Sequence, residues 1–180
     1  MRILPNCQNR ATETNKAVLS LFFCKFAGNS SVIGDSDTAQ THQTDERMKI
    51  IDDNLVNGLA QEAKKSPRLR MNYNFHQSLQ DKCHRFLNAL EPGTQIPVHH
   101  HPTKAETFVV LKGKVRVTTY NDQGEVLETC VLSHEDGLYG ADIPENVWHG
   151  LECLEPCVLL ECKEGPFVEH EVDGILEIAK

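Results

Sequence analysis

The sequence lacks a basic surplus, a long apolar run and any C-x-x-C pair. Across 180 residues, 18 Lys and Arg stand against 26 Asp and Glu, a formal net charge of −8. A general binder of nucleic acid or of an anionic membrane needs a basic face, so both classes are excluded. An anionic small ligand is not excluded, because a metal and a few arginines create local positive potential. The only apolar run of residues 1–47, Ala17–Cys24, is about eight residues long and stops at Lys25, far too short to span a membrane. As the centre of a secretory signal it is poorly served. Lys25-Phe26-Ala27 lacks the small-residue cleavage pattern, and Phe23 before Cys24 spoils a lipoprotein box. The 7 cysteines are odd in number, and Cys153, Cys157 and Cys162 fit no zinc-ribbon or finger spacing. They read as small apolar fillers in late strands. Free thiols imply a reducing, cytoplasmic setting.

What is present suits one domain with an appendage. Hydrophobic residues make up 39% and charged residues 24%, enough for a core and near the globular average. Residues 28–47 are polar and rich in Ser, Thr, Asp and Gln, which reads as linker. Residues 1–47 are therefore expected to be an extension not needed for the fold, and residues 48–180 the domain. From Met48 to Lys65 the apolar residues Ile51, Leu55, Leu59 and Ala63 recur at helical spacing, and Ser66-Pro67 ends the helix. Arg68–His76 alternates, with Arg68, Arg70, Asn72 and Asn74 on one face and Leu69, Met71, Tyr73 and Phe75 on the other. Cys83–Leu90 follows as a strand. Beyond Gly113, KVRVTTYN and EVLETCVL flank Asn121-Asp122-Gln123-Gly124, a hairpin turn. Short strands between Gly, Pro and Asn turns indicate an antiparallel sandwich or barrel.

The chemistry concentrates in Gly93–Gly113. Successive strand side chains alternate faces, so His99 and His101 point one way and His100 the other. If the following strand pairs with theirs, Glu106 returns to the histidine face. His149, five positions after Pro144, is a further candidate. Imidazoles and a carboxylate suit Fe(II), Mn(II), Ni(II), Co(II) or Zn(II). Such a set leaves coordination positions open for substrate or water.

The spacing G-x5-H-x-H-x4-E-x6-G, from Gly93 through His99, His101 and Glu106 to Gly113, resembles the first motif of the cupin superfamily at every position. Pro144–His149 is similar to the second motif, with Asn146 where glycine is usual. More narrowly, the chain from about Met48 resembles the WbuC family of cupin-fold metalloproteins, found among bacterial surface-polysaccharide (O-antigen) genes. The resemblance implies a mostly β double-stranded β-helix, a jelly-roll barrel, with the short N-terminal helix packed outside. It implies one divalent metal ion held by His99, His101, Glu106 and His149, and homodimers formed through the sheets. It also implies a small-molecule, sugar-like ligand.

Two functions stay open. One is a small metalloenzyme acting on a sugar or sugar-nucleotide, with His76, Tyr73 or Tyr120 as the nearest candidate bases. The other is a non-catalytic metal-dependent sensor or carbohydrate-binding module. Arg70 and Asn74 are candidate substrate contacts, with a solvated strand face as the alternative. Trp148, with Tyr139, could stack on a sugar ring, against ordinary core packing.

Overall fold

A computed structural model describes residues 47–167 and Leu176. The readings of residues 1–46, and of the chain beyond Phe167 apart from Leu176, lie outside the described residues. Met48–Lys180 forms one compact unit. Its elements are α1 (Asp53–Lys65), β1 (Arg70–Asn74), β2 (Cys83–Leu90), β3 (Glu106–Tyr120), β4 (Val126–Ser133), β5 (Gly140–Ile143) and β6 (Trp148–Glu164).

Helix α1 starts later than the sequence suggests. Asp52 is extended and caps it, its carboxylate accepting from Leu55 N–H at 2.9 Å. Ile51 therefore falls outside the helix and is exposed. The buried side is Val56, Leu59 and Ala63, which pack with Leu87, Ala89 and Val158 on the outer face of the sheet. Burying Val56 and Leu59 stabilises the docked helix by about 2 kcal/mol each. The cap adds only about 1 kcal/mol. Docking, rather than local propensity, keeps α1 in place.

All strand pairing is antiparallel, in the order β1-β2-β6-β3-β4 with β5 on β3. The runs read as separate strands on either side of Gly113 form one strand, β3, and the two late runs after Asn146 likewise form β6. These long partners make a ribbon, with Glu106 opposite Lys163 at one end and Thr119 opposite His149 near the other. Register shifts between Val110 and Val115 break the ladder midway. Here Gly113 has φ +74°, and a Cβ on it would lie 2.0 Å from Pro156 O. Only glycine admits that approach. The ribbon folds over at this point, and its halves join different strands. One half carries β1, β2 and β5, the other β4 and the segment around His99. Phe108, Val110, Val115, Val117, Leu151 and Leu159 from both halves share one core cluster. Cys153 and Cys157 lie in that cluster, as expected for apolar fillers, whereas Cys83 is exposed.

Candidate metal centre

The folded ribbon brings its ends together. Glu106 and Thr119, the neighbour of His149, are thirteen residues apart on β3, roughly 40 Å along a straight strand. Instead, Glu106 Oε2 lies 3.1 Å from His149 Nε2. His99 joins from an unexpected side. Its segment pairs with β6 rather than with Glu106's strand: His99 and His149 exchange backbone hydrogen bonds of 2.9 and 2.8 Å. The alternation that puts His99 and His101 on one face still holds, but the neighbouring strand is His149's. One ligand atom from each of His99, His101, Glu106 and His149 lies within 4.8 Å of the others. Donors on one first-row ion sit at most about 4.3 Å apart, twice the metal–nitrogen distance. Small side-chain adjustments close that gap.

The proton positions favour a cation. His99 Nδ1 lies 3.0 Å from Pro97 O, and His149 Nδ1 lies 2.9 Å from Val147 O. A carbonyl only accepts, so both Nδ1 atoms carry protons. In the neutral imidazole, His149 Nε2 then presents a lone pair to Glu106 Oε2. Two acceptors at that separation need a proton or a metal ion between them. His101 Nε2 is buried, without a hydrogen-bond partner among the described residues, and 3.7 Å from the same oxygen. An orphaned buried nitrogen costs about 1–3 kcal/mol, and an ion in the cluster would satisfy it. The residues fit a divalent metal.

Burial, then the nearby His149, pushes His99 down to about 3. Burial, then Lys163, pushes His101 down to about 4. Both are neutral ligands at physiological pH. Burial alone would raise the Glu106 carboxyl, but the Lys163 ammonium, with smaller hydrogen-bond contributions, holds it well below the usual carboxylate range.

A family model described as a domain of unknown function, DUF6016, matches residues 51–132. That stretch contains His99, His101 and Glu106 and ends before His149. No curated protein matches the chain. Among solved structures, the capsular polysaccharide assembling protein CapF from Staphylococcus aureus is similar at a TM-score of 0.51 and 25% identity, over 59% of this chain and 29% of CapF. The chain thus spans less than a third of CapF's length. The Schizosaccharomyces pombe Cnp3 cupin domain aligns at a TM-score of 0.43 and 13% identity, over 53% of this chain and 64% of that one. A cupin superfamily protein from Desulfitobacterium hafniense gives the same score and identity, 0.43 and 13%, over 53% and 76%. Antiparallel strands folded from one ribbon around a His–His–Glu–His cluster are the architecture that the resemblance implies. The chain has a cupin fold.

The other candidate residues scatter. Tyr73 lies on the outer face of β1 and packs with the α1 cluster, away from the site. Tyr120 sits opposite Trp148 in the ribbon, and both point away from the face of His149. Trp148 instead covers His100, with ring centroids 4.0 Å apart, and donates to Asp122. His100 is buried there, its Nδ1 3.0 Å from Asn146 Oδ1. Asn146 adopts φ +60°, doing the work of the usual glycine. Tyr139 is exposed. His76 is not a surface residue: it is buried, stacked on His84 at 4.5 Å, and its Nδ1 accepts from Arg85 N–H at 3.2 Å. Among the described residues, no hydrogen bond or ring contact joins any of the three candidate bases to the cluster.

Asn74 and Arg70 do face inward, since they pair with Phe86 and Leu90, which line the interior. Asn74 occupies the row next to Glu106's, beside Phe86 and Glu161. Arg70 lies three inward rows from Glu106's row, about 20 Å along the strand, and donates to Gln95 O at 2.9 Å. It is neither solvated nor beside the cluster. Sequence reasoning missed Glu161 and Lys163. They continue the inward alternation of Leu159 along β6, so charges at those positions must point into the barrel.

Proposed function

We propose that this cupin binds one divalent transition metal through His99, His101, Glu106 and His149. We further propose that it acts as a small metalloenzyme on a sugar or sugar-nucleotide in bacterial surface-polysaccharide synthesis. The observation that carries the metal reading is the convergence of four donors, one of them the partnerless His101 Nε2. When bound, the metal supplies a Lewis acid that polarises a carbonyl or hydroxyl. Phe108 and Val110, both buried, exclude water on one side. Asn74 and Asn88 offer amide groups on the inner face for ligand hydroxyls; Asn88 Oδ1 is buried and unpartnered among the described residues. Glu161 stands beside Glu106 where an acid or base is needed, a role for which the sequence offered only His76, Tyr73 and Tyr120. CapF's description as a capsular polysaccharide assembling protein supports the polysaccharide setting.

A second reading, a metal-dependent carbohydrate-binding module, is favoured by the distance of those three residues from the cluster. Metal analysis of the purified protein, then turnover assays of the metal-loaded form with sugar-nucleotides, tests both. Consumption of ligand supports the enzyme; saturable binding without consumption supports the module. Protein that carries and takes up no divalent ion defeats both. The same reading takes the protein as a homodimer, which light scattering tests.

A further inference from the structure

The two oxygens of Glu106 face different partners. Oε2 points to His149 Nε2 at 3.1 Å and His101 Nε2 at 3.7 Å. Oε1 points to Lys163 Nζ at 3.4 Å. Lys163 lies directly across the β3–β6 ladder from Glu106, and His84 lies across from Lys163 on β2. Its ammonium also reaches Glu161 Oε1 at 3.5 Å and sits 5.7 Å from the Phe86 ring centroid. Glu161 Oε2 in turn accepts from Asn88 Nδ2 at 3.3 Å. A partly buried chain Asn88–Glu161–Lys163–Glu106 therefore ends on the carboxylate that completes the cluster.

A glutamate carboxylate turns easily about its last bond. Left free, it can offer either oxygen, or both, to an ion. We propose that Lys163, itself held by Glu161, is a positioning residue that keeps one Glu106 oxygen out of the site and the other aimed at the three imidazoles. The pair thereby tunes divalent-ion affinity and keeps free the coordination position a second oxygen would take. This rests on the metal reading above. Two opposing effects attend an ammonium so close to a cation site. Like-charge repulsion weakens metal binding, whereas orienting the ligand strengthens it. Glu161 bears on the balance by geometry, because its Oε1 gives Lys163 a partner at 3.5 Å whether or not an ion occupies the site.

The test is the affinity of the full chain for Mn2+ alone, by titration calorimetry on stripped protein, in wild type, Lys163→Met, Lys163→Arg and Glu161→Leu. Lys163→Met is expected to bind about tenfold to a hundredfold more weakly, the usual cost of removing a partner behind a metal ligand. Lys163→Arg, which keeps the charge and the donors, should recover most of the loss. A Lys163→Met variant that binds Mn2+ as tightly as wild type, or more tightly, overturns the proposal, because repulsion would then be the larger effect. Should Lys163→Met not fold, Glu161→Leu, which removes the acceptor that holds Lys163, decides: weaker binding supports the chain, unchanged or tighter binding overturns it. Wild type that binds no Mn2+, Zn2+, Fe2+, Co2+ or Ni2+ takes down the metal reading itself, a result seen before any variant is made.

Discussion

Each imidazole of the cluster is set before any ion arrives. His99 and His149 spend Nδ1 on backbone carbonyls two residues earlier and turn Nε2 inward. His149→Ala removes the donor that contacts Glu106, and metal content of the purified variant should fall at least tenfold, read by elemental analysis. The same burial gives a pH signature in metal-free protein. His99 and His101 sit near 3 and 4 when folded, against 6.5 as the ordinary value. Between those limits the unfolded chain binds more protons than the folded one, so folding weakens as pH falls. Stability should be full above about pH 6.5 and decline toward pH 4 by about 1.4 kcal/mol per pH unit for each histidine. Urea midpoints at several pH values check this. The depressed Glu106 acts in a lower window, beginning only below its ordinary value of 4.5. Motif spacing made His99, His101, Glu106 and His149 legible in the sequence. Lys163 and Glu161 were not, because a charged pair at the end of an alternating strand reads equally well as a solvated face.

At the level of elements, the ribbon of β3 and β6 matters most. Its fold-over depends on Gly113, where backbone of β6 occupies the space of a Cβ. Gly113→Ala should destabilise the protein by about 3 kcal/mol or more, since backbone must shift and an L-residue is forced to positive φ. Thermal unfolding measures it, and a loss of metal uptake should accompany it, because the same bend carries Glu106 to His149. The turn at Asn121–Gly124 was readable from its residues: Asn121 Oδ1 accepts from Gln123 and Glu125 N–H at 3.0 and 2.9 Å. The start of α1 was misjudged because Asp52 suits both a first turn and a cap, and only its extended backbone separates the two. Reading strands on either side of Gly113 was reasonable by period, yet a bulge keeps pairing continuous where a turn would end it.

For the molecule as a whole, Met48–Lys180 is a compact unit, with its described strands between Arg70 and Glu164. Among the described residues, no helix is long and apolar enough to cross a membrane. We propose that residues 1–47 are not needed for folding or for the site. A chain starting at Met48 should keep its unfolding midpoint within a few degrees of full length and bind the same divalent ion. An unfolded or metal-free truncated product rejects that proposal.

Spacing and alternation alone determined which side chains are donors, which strands alternate and where the chain turns, because these depend on local periodicity and residue chemistry. The tertiary structure decided the neighbours: that His99 pairs with His149 rather than with Glu106's strand, that Tyr73 faces the helix, and that Lys163 and Glu161 turn inward behind Glu106. Those outcomes follow from folding one ribbon over a bulge, which joins positions far apart in the chain and leaves no local pattern for a sequence to reveal.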